Sequence, residues 1–267
     1  MHPRLLALPL VLSLGVVACG GGSQPASTPA SEPAATPSAP AASAVDPATA
    51  ATVAGKISVE GALPANQPIR MNADPACVQA NAGKSPTQET YVGEGGGLGN
   101  VFVYVQSGLT GTFPAPTTPV TMDQTGCHYV PHVFGVQVGQ PIEIVNSDST
   151  LHNVHATPKT NMEFNTAQPI KGMKTQHTFT AKEDAVVVPF KCDVHGWMNA
   201  FVGVLDHPYF AVTKPDGSFS IPNLPPGTYK LAAWHERLGT QTIDVTVAAK
   251  ESKSDANFTF KSAGAAN

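Results

Sequence analysis

Hydrophobic and polar residues alternate along much of the chain in short runs, with the two-residue period of half-buried strands. Residues 136–144 show this alternation in two pieces that a Gly-Gln-Pro turn separates, which predicts two short strands. Two apolar runs, Ala185–Phe190 and Phe201–Leu205, have the length of buried strands and flank a polar loop. Because no long stretch keeps a helical period, the pattern predicts an all-β protein built from small β-sandwiches.

The N-terminal part of the chain follows a different pattern. Arg4 is followed by an apolar run to Ala18 that is too short to cross a bilayer, which predicts a secretory signal peptide over residues 1–18. The sequence around Cys19 resembles a bacterial lipobox, which implies cleavage before Cys19 and lipid attachment to it. Residues 19–51 are almost wholly Ala, Pro, Ser, Thr and Gly, the composition of a disordered tether. We therefore expect a lipid-anchored protein of the bacterial cell envelope that faces the periplasm, and Gly20 favours the outer membrane over the inner.

The charge composition excludes one class of partner. Only 13% of the residues are charged and the formal net charge is −4, so the chain offers no basic surface for nucleic acid. Contact with the membrane is expected through the lipid anchor only.

The polar loop between the two apolar runs carries candidate metal ligands. Cys192, His195 and Met198 lie within seven residues, and His152 lies at the end of a distant polar run. One thiolate, two imidazoles and one thioether are the ligand set of a type 1 (blue) copper site. Zinc also takes Cys and His, but no second Cys lies near Cys192, and Met198 favours copper.

From about Pro119 to Leu205 the chain resembles the cupredoxins of the plastocyanin and amicyanin type. The matching segments are Tyr129-Val130-Pro131, Val138–Ile142, Asn146–Asp148, His152–His155 and the Cys192–Met198 loop. The resemblance implies a Greek-key β-sandwich over residues 118–206 with one copper ion bound by His152, Cys192, His195 and Met198. It also implies that Asn153 ties the His152 strand to the ligand loop.

Two positions depart from these families. Asp193 follows the ligand Cys where Ser or Thr is common, which adds a negative charge beside the copper and changes its reduction potential. The second position is Trp197, which is expected at the rim where a partner protein docks. His195 supplies the electron exit route if its ring edge reaches solvent, as it does in the related proteins. His155 is the weaker ligand candidate, a histidine on the other face of the same strand.

Two further cysteines, Cys77 and Cys127, have no assigned role. In an oxidising compartment a remaining pair is most simply a disulfide. The alternative is a second metal site built from Cys127, His128 and His132, which lie within six residues of one another.

The sequence after Leu205 resembles the carboxypeptidase regulatory-like domain, a small transthyretin-like β-sandwich. Residues 207–262 are assigned to it, with a Pro-Asp-Gly hairpin turn within Phe210–Ile221. Residues 52–117 form an N-terminal β segment that fits the first strands of the same sandwich, so the cupredoxin is either inserted into this sandwich or extended by that segment. Trp234-His235-Glu236 is a candidate for packing between the two modules.

The expected function is one-electron transfer with a redox partner such as a periplasmic cytochrome or dehydrogenase. Four protein ligands leave no open coordination position for a substrate, so we expect no enzymatic activity. A lipoprotein that binds, buffers or delivers copper uses the same site and is the first alternative. A surface adhesion or carbohydrate-binding module is the second.

Overall fold

Strands make up nearly all of the regular secondary structure in the computed structural model, which describes residues 45–262. The elements in chain order are β1 (Ala51–Glu60), α1 (Pro75–Ala80), β2 (Phe102–Ser107), β3 (Val120–Thr125), β4 (His128–Val130), β5 (Val133–Gln137), β6 (Pro141–Asn146), β7 (His152–Ala156), β8 (Phe164–Gln168), β9 (Lys174–Thr178), β10 (Val187–Lys191), β11 (Asn199–Leu205), β12 (Phe210–Val212), β13 (Ser218–Leu224), β14 (Gly227–His235), β15 (Gly239–Val247), β16 (Ser252–Lys253) and β17 (Phe258–Lys261). The expected all-β class is confirmed. Across the described residues, no helix has the length and apolar character that crossing a membrane requires.

The predicted signal peptide, Cys19 and residues 20–44 of the predicted tether lie outside the described residues. The last residues of that tether are folded, because Val45 packs against the core of a sandwich and residues 47–49 form a turn. Ala51 is buried in β1. The folded part of the chain therefore begins before the predicted boundary at residue 51.

Strands β3 to β11 form the first sandwich, over the residues where a cupredoxin module is predicted. One sheet has the order β4-β3-β6-β9 and the other the order β5-β11-β10-β7-β8. In β6 every second residue is buried, including Ile142 and Ile144, so the predicted alternation turns one face of the strand into the core. Within the sheets, β3 pairs in parallel with β6 and β5 in parallel with β11. The sandwich thus has two sheets packed around one apolar core.

The second sandwich is built from strands on both sides of the first in sequence. One sheet has the order β13-β1-β16 with β17 also on β1, and the other has the order β12-β2-β14-β15. The chain leaves this sandwich after β2 and returns in β12, and β2 and β12 are antiparallel neighbours. The first sandwich is therefore inserted between two adjacent strands of the second.

The segment between β1 and β2 divides between the two sandwiches. β1 and β2 belong to the second sandwich, but Ile69, Met71 and Cys77 are buried in the core of the first. A disulfide joins Cys77 in α1 to Cys127, with 5.6 Å between the Cα atoms. Residues 52–117 are thus not a uniform part of the second sandwich, and α1 is held against the first.

The hairpin predicted around Pro-Asp-Gly is wrong in its pairing. The turn itself forms, since the Gly217 N–H donates to the carbonyl of Lys214 at 2.8 Å. The strands on either side of it belong to different sheets, because β12 pairs with β2 and β13 pairs with β1. The turn therefore carries the chain from one layer of the second sandwich to the other.

Trp234, His235 and Glu236 lie where the two sandwiches meet. The Trp234 ring packs on Phe201 of β11, with 5.3 Å between ring centroids. Glu236 Oε1 lies 2.7 Å from Nε2 of His132, which is buried in the first sandwich. Apolar and polar contacts of this triplet therefore join the two modules.

Candidate metal centre

The loop between β10 and β11 turns back on itself at the end of the first sandwich. The Cys192 N–H donates to the Met198 carbonyl at 3.1 Å, and the Met198 N–H donates to the His195 carbonyl at 2.8 Å. His152 is the first residue of β7, which pairs with β10 in the register Lys191 to His155. Strand pairing therefore brings His152 beside this loop from a distant part of the sequence.

Three of the four predicted ligands converge on one buried point. Nδ1 of His152 lies 3.0 Å from Nδ1 of His195, and Sγ of Cys192 lies 3.9 Å from the same His195 atom. All three donor atoms lie within 4.8 Å of one another, and all three residues are buried. One ion with bonds of about 2.0–2.3 Å to such donors holds them about 3.3–3.8 Å apart. The donor set and its spacing fit a single copper or zinc ion.

Met198, the fourth predicted ligand, is 1% exposed and belongs to the same core cluster as Cys192. A thioether among the predicted ligands distinguishes the set from the Cys and His sets of structural zinc sites. The chemistry of the four residues together therefore fits type 1 copper better than zinc.

Cys192 and His152 form a coupled pair. Burial alone would raise the pKa of the Cys192 thiol, but hydrogen bonds with His152 and with backbone amides outweigh it and lower this pKa to about 6. Burial alone would lower the pKa of His152, whereas its contacts with Asp148 and Cys192 raise it to about 9. The site therefore stabilises the thiolate, which is the form that binds metal.

Each histidine also contacts a carboxylate with its other ring nitrogen. His152 Nε2 lies 3.0 Å from Asp148 Oδ2, and His195 Nε2 lies 2.9 Å from Asp74 Oδ2. Thr150 donates to the same Asp74 oxygen at 2.6 Å, and this bond, together with His195 and two amides of α1, holds the pKa of Asp74 at about 2. These carboxylates fix both imidazoles with Nδ1 toward Cys192.

The sequence interpretation missed both carboxylates. Asp148 precedes His152 by only four residues, and this short spacing in a polar run is a signal that points to it. No comparable signal exists for Asp74, because it is 121 residues from His195 and reaches it only through the fold of α1.

Asn153 and Asp193 lie beside the ligands as the resemblance implies. The Asp193 N–H donates to Oδ1 of Asn153 at 2.8 Å, and Cys192 Sγ lies 3.3 Å from the same oxygen. The Asp193 carboxylate contacts Lys191 at 3.1 Å and His155 at 2.9 Å, and the lysine ammonium is the main reason that the pKa of Asp193 falls to about 2. His155 is thus bonded to carboxylates and is absent from the three-donor cluster.

The ring edge of His195 does not reach solvent. The residue is 3% exposed, because Asp74 and Cys77 of the α1 region lie over its Nε2 atom. Trp197 is half-buried and donates from Nε1 to the carbonyl of Cys127 at 3.0 Å. The expected exit through a solvent-edged His195 is therefore blocked by a covering segment.

Cys127, His128 and His132 do not form a second metal site. Cys127 is in the disulfide, His128 Nδ1 lies 2.9 Å from the Gly126 carbonyl, and His132 faces Glu236. The donor atoms of these three residues therefore contact separate partners.

Comparisons with solved structures find similarity over 32–39% of this chain, with TM-scores of 0.27–0.31. Similar solved structures are a copper-containing nitrite reductase from Thermus scotoductus (23% identity, TM-score 0.31, covering 39% of this chain and 26% of that one), a purple cupredoxin from Nitrosopumilus maritimus (23%, 0.27, 32% and 98%) and a Cu(I) form of an amicyanin variant (22%, 0.29, 38% and 97%). This chain thus spans about a quarter of the nitrite reductase.

A family model for domain II of polysaccharide lyase family 4 matches residues 179–255. That span includes β10 and β11 of the first sandwich as well as β12 to β16 of the second. It is a different family from the carboxypeptidase regulatory-like domain expected from the sequence, and that expectation has no support from the family match. No curated protein is significantly similar to the chain in sequence.

Proposed function

We propose that this chain is a type 1 copper protein that transfers single electrons, held by a lipid at Cys19 in the bacterial cell envelope. The observation that carries the proposal is the meeting of two imidazole Nδ1 atoms and one low-pKa thiol in a buried site. His152, Cys192, His195 and Met198 would hold the ion. Bound copper supplies a centre that gains and loses one electron.

The surrounding residues hold the ligands in one arrangement. Asp148 and Asp74 orient the two imidazoles, and Asn153 fixes the start of the ligand loop through the Asp193 N–H. Ligands that are already oriented move little when the charge of the centre changes. This small movement favours fast electron transfer. Four protein ligands would also leave no open coordination position for a substrate, so we propose a carrier and not an enzyme.

The partner is proposed to be a redox protein such as a periplasmic cytochrome or dehydrogenase. Leu151 and Val194, which directly precede the two histidine ligands, are 41% and 49% exposed. Together with the exposed part of Trp197 they offer an apolar contact area near the ligands, of the small kind that transient redox encounters use. The cover over His195 favours a retained ion, so copper delivery is the less favoured use of the site.

The visible spectrum of the copper-loaded protein tests this proposal. We expect one Cu(II) per chain and an intense thiolate-to-copper band in the red region. Cys192→Ser should abolish that band, whereas His128→Gln, a histidine outside the cluster, should leave it unchanged. Absence of the band in the wild-type protein would refute the site. Rapid loss of copper to a chelator, together with slow electron exchange with a cytochrome, would refute the carrier function.

A further inference from the structure

The disulfide lies directly behind the two histidines of the metal centre. Sγ of Cys77 is 3.7 Å from Nε2 of His195, on the side of the ring that faces away from His152 Nδ1. Cys77 and Cys127 are both fully buried. The two sulfur atoms therefore lie near the two histidines, behind the Cys192 site.

Carboxylates complete two sets of donors around these sulfurs. Asp74, Cys77 and His195 place three donor atoms within 4.8 Å of one another, and so do Cys127, Asp148 and His152. The Cys127 N–H donates to Asp148 Oδ2 at 2.7 Å, which holds the second set together. Both sets consist of a sulfur, a carboxylate oxygen and an imidazole nitrogen.

The distances in the first set are close to those around one tetrahedral ion. Bonds of about 2.3 Å to sulfur and about 2.05 Å to nitrogen hold these two atoms about 3.6 Å apart, and a nitrogen and an oxygen about 3.3 Å apart. The observed values are 3.7 Å for Cys77 Sγ and 2.9 Å for Asp74 Oδ2, each measured to His195 Nε2. Cys127 Sγ is bonded to Cys77 Sγ and therefore lies beside this set, and the disulfide keeps both sulfurs from acting as thiolate ligands.

We propose that the dithiol form of the protein binds one zinc ion through Cys77, Cys127, Nε2 of His195 and the carboxylate of Asp74. Zinc takes thiolate, imidazole and carboxylate ligands in tetrahedral sites. Opening the Cys77–Cys127 disulfide takes up two electrons and two protons. An external dithiol supplies both, and its own two thiols are oxidised to a disulfide. Zinc binding then releases the two protons of the Cys77 and Cys127 thiols.

Closing the disulfide removes both thiolates and leaves Cys192 as the thiolate beside His152 and His195. Both sites use His195 but through different ring nitrogens, Nδ1 toward Cys192 and Nε2 toward Cys77. The oxidation state of Cys77 and Cys127 therefore decides whether a zinc site exists beside the copper site, and this pairing of the two sites rests on the proposed function. The dithiol zinc site itself does not depend on it.

The test uses the full chain with Cys19→Ser and Cys192→Ser, which leaves Cys77 and Cys127 as its only cysteines. The protein is reduced with dithiothreitol, freed of reductant without air and titrated with Co(II), a spectroscopic substitute for zinc. We expect one equivalent to bind with thiolate-to-cobalt and tetrahedral bands, and zinc to displace it. The oxidised protein should show neither band.

Further variants separate this site from simple thiol binding. Adding Cys77→Ser should abolish the cobalt bands, and adding Asp74→Asn should weaken binding at least 10-fold, while Asp216→Asn at an exposed turn should have no effect. Equal binding by the oxidised protein, or no loss with Asp74→Asn, would overturn the proposal. If the reduced chain loses its near-ultraviolet circular dichroism, added cobalt should restore that signal. A reduced chain that stays unfolded with cobalt and shows no cobalt bands would also overturn the proposal. Since no blue copper centre can form without Cys192, none of these results depends on the copper function.

Discussion

The carboxylate of Asp74 contacts three parts of the molecule: α1, Thr150 and His195. Its Oδ1 accepts from the Ala76 N–H at 2.8 Å as the N-cap of α1, and its Oδ2 contacts Thr150 and His195. A carboxylate on the outer nitrogen of a metal-binding imidazole fixes the ring and raises its basicity. Asp74 is therefore placed to adjust the proposed metal centre from a segment that the sequence interpretation did not connect with it.

Replacing Asp74 by Asn should raise the copper reduction potential and lower copper affinity about 10- to 100-fold. The Asp74 carboxylate is a negative charge next to His195, and such a charge stabilises Cu(II) more than Cu(I). Asp74→Asn removes it, so the reduced state becomes relatively more stable. Asn is also a good N-cap residue, so α1 should persist. Voltammetry and competition with a chelator measure the two effects.

Thr150→Val is the matched control for this prediction. It removes the 2.6 Å hydrogen bond to Asp74 but keeps the charge. We expect a smaller rise in potential than in Asp74→Asn. Equal potentials in the wild type and in Asp74→Asn would mean that the carboxylate does not act on the metal.

The sequence predicted the donor cluster better than its surroundings. Cys192, His195 and Met198 lie in one short loop, and their spacing alone suggested a soft-metal site. The two carboxylates behind the histidines were missed, and Asp74 in particular approaches through contacts between distant residues. Local spacing carries ligand identity, whereas residues that orient ligands come from the tertiary fold.

At the scale of elements, the loops that follow β7 and β9 are joined by one buried carboxylate. Glu183 is 3% exposed and accepts from the backbone N–H groups of Lys159 at 2.7 Å and Asn161 at 2.8 Å, and from the Asn161 side chain. Burial alone would raise the pKa of Glu183, but these donors outweigh it and lower that pKa below its usual value of 4.5. The ionised carboxylate therefore fixes the loop that follows the His152 strand.

Glu183→Gln should destabilise the apo protein by about 1–3 kcal/mol at pH 7, because an amide N–H₂ group then faces the backbone donors. The folded-state pKa is lower than the unfolded one, so the contribution of Glu183 is fully present above about pH 4.5 and is lost as the pH falls through the lowered value. Urea unfolding between pH 3 and pH 7 should show a shrinking difference between the wild type and Glu183→Gln toward acid.

Asp184→Asn is the control for Glu183, since Asp184 is adjacent and exposed. It should change stability by less than about 0.5 kcal/mol. A pH-independent difference between Glu183→Gln and the wild type would contradict the role of the charge.

At the scale of the whole molecule, aromatic rings of the second sandwich pack against glycines of the first. Phe102 of β2 is fully buried and lies against Gly203 of β11, while Phe210 lies against Gly135 of β5. Residue patterns suggested two β modules but left open whether one is inserted in the other. The answer depends on the pairing of β2 with β12, residues about a hundred positions apart in sequence, and strand patterns alone do not specify a partner.

Gly203→Ala tests whether this contact holds the two sandwiches together. A Cβ atom at residue 203 would lie 2.1 Å from the ring of Phe102, which is fully buried. We expect a loss of about 1–3 kcal/mol in the free energy of unfolding. Gly196→Ala, where no atom lies within 4 Å of the added Cβ, should cost much less.

Phe102→Leu should restore part of the loss in the double variant, because the smaller side chain vacates the volume that the methyl group needs. The coupling free energy from the four proteins should therefore be about 0.5–3 kcal/mol in favour of the double variant. Purely additive effects would show that Gly203 is small for a reason unrelated to the docking of the two sandwiches.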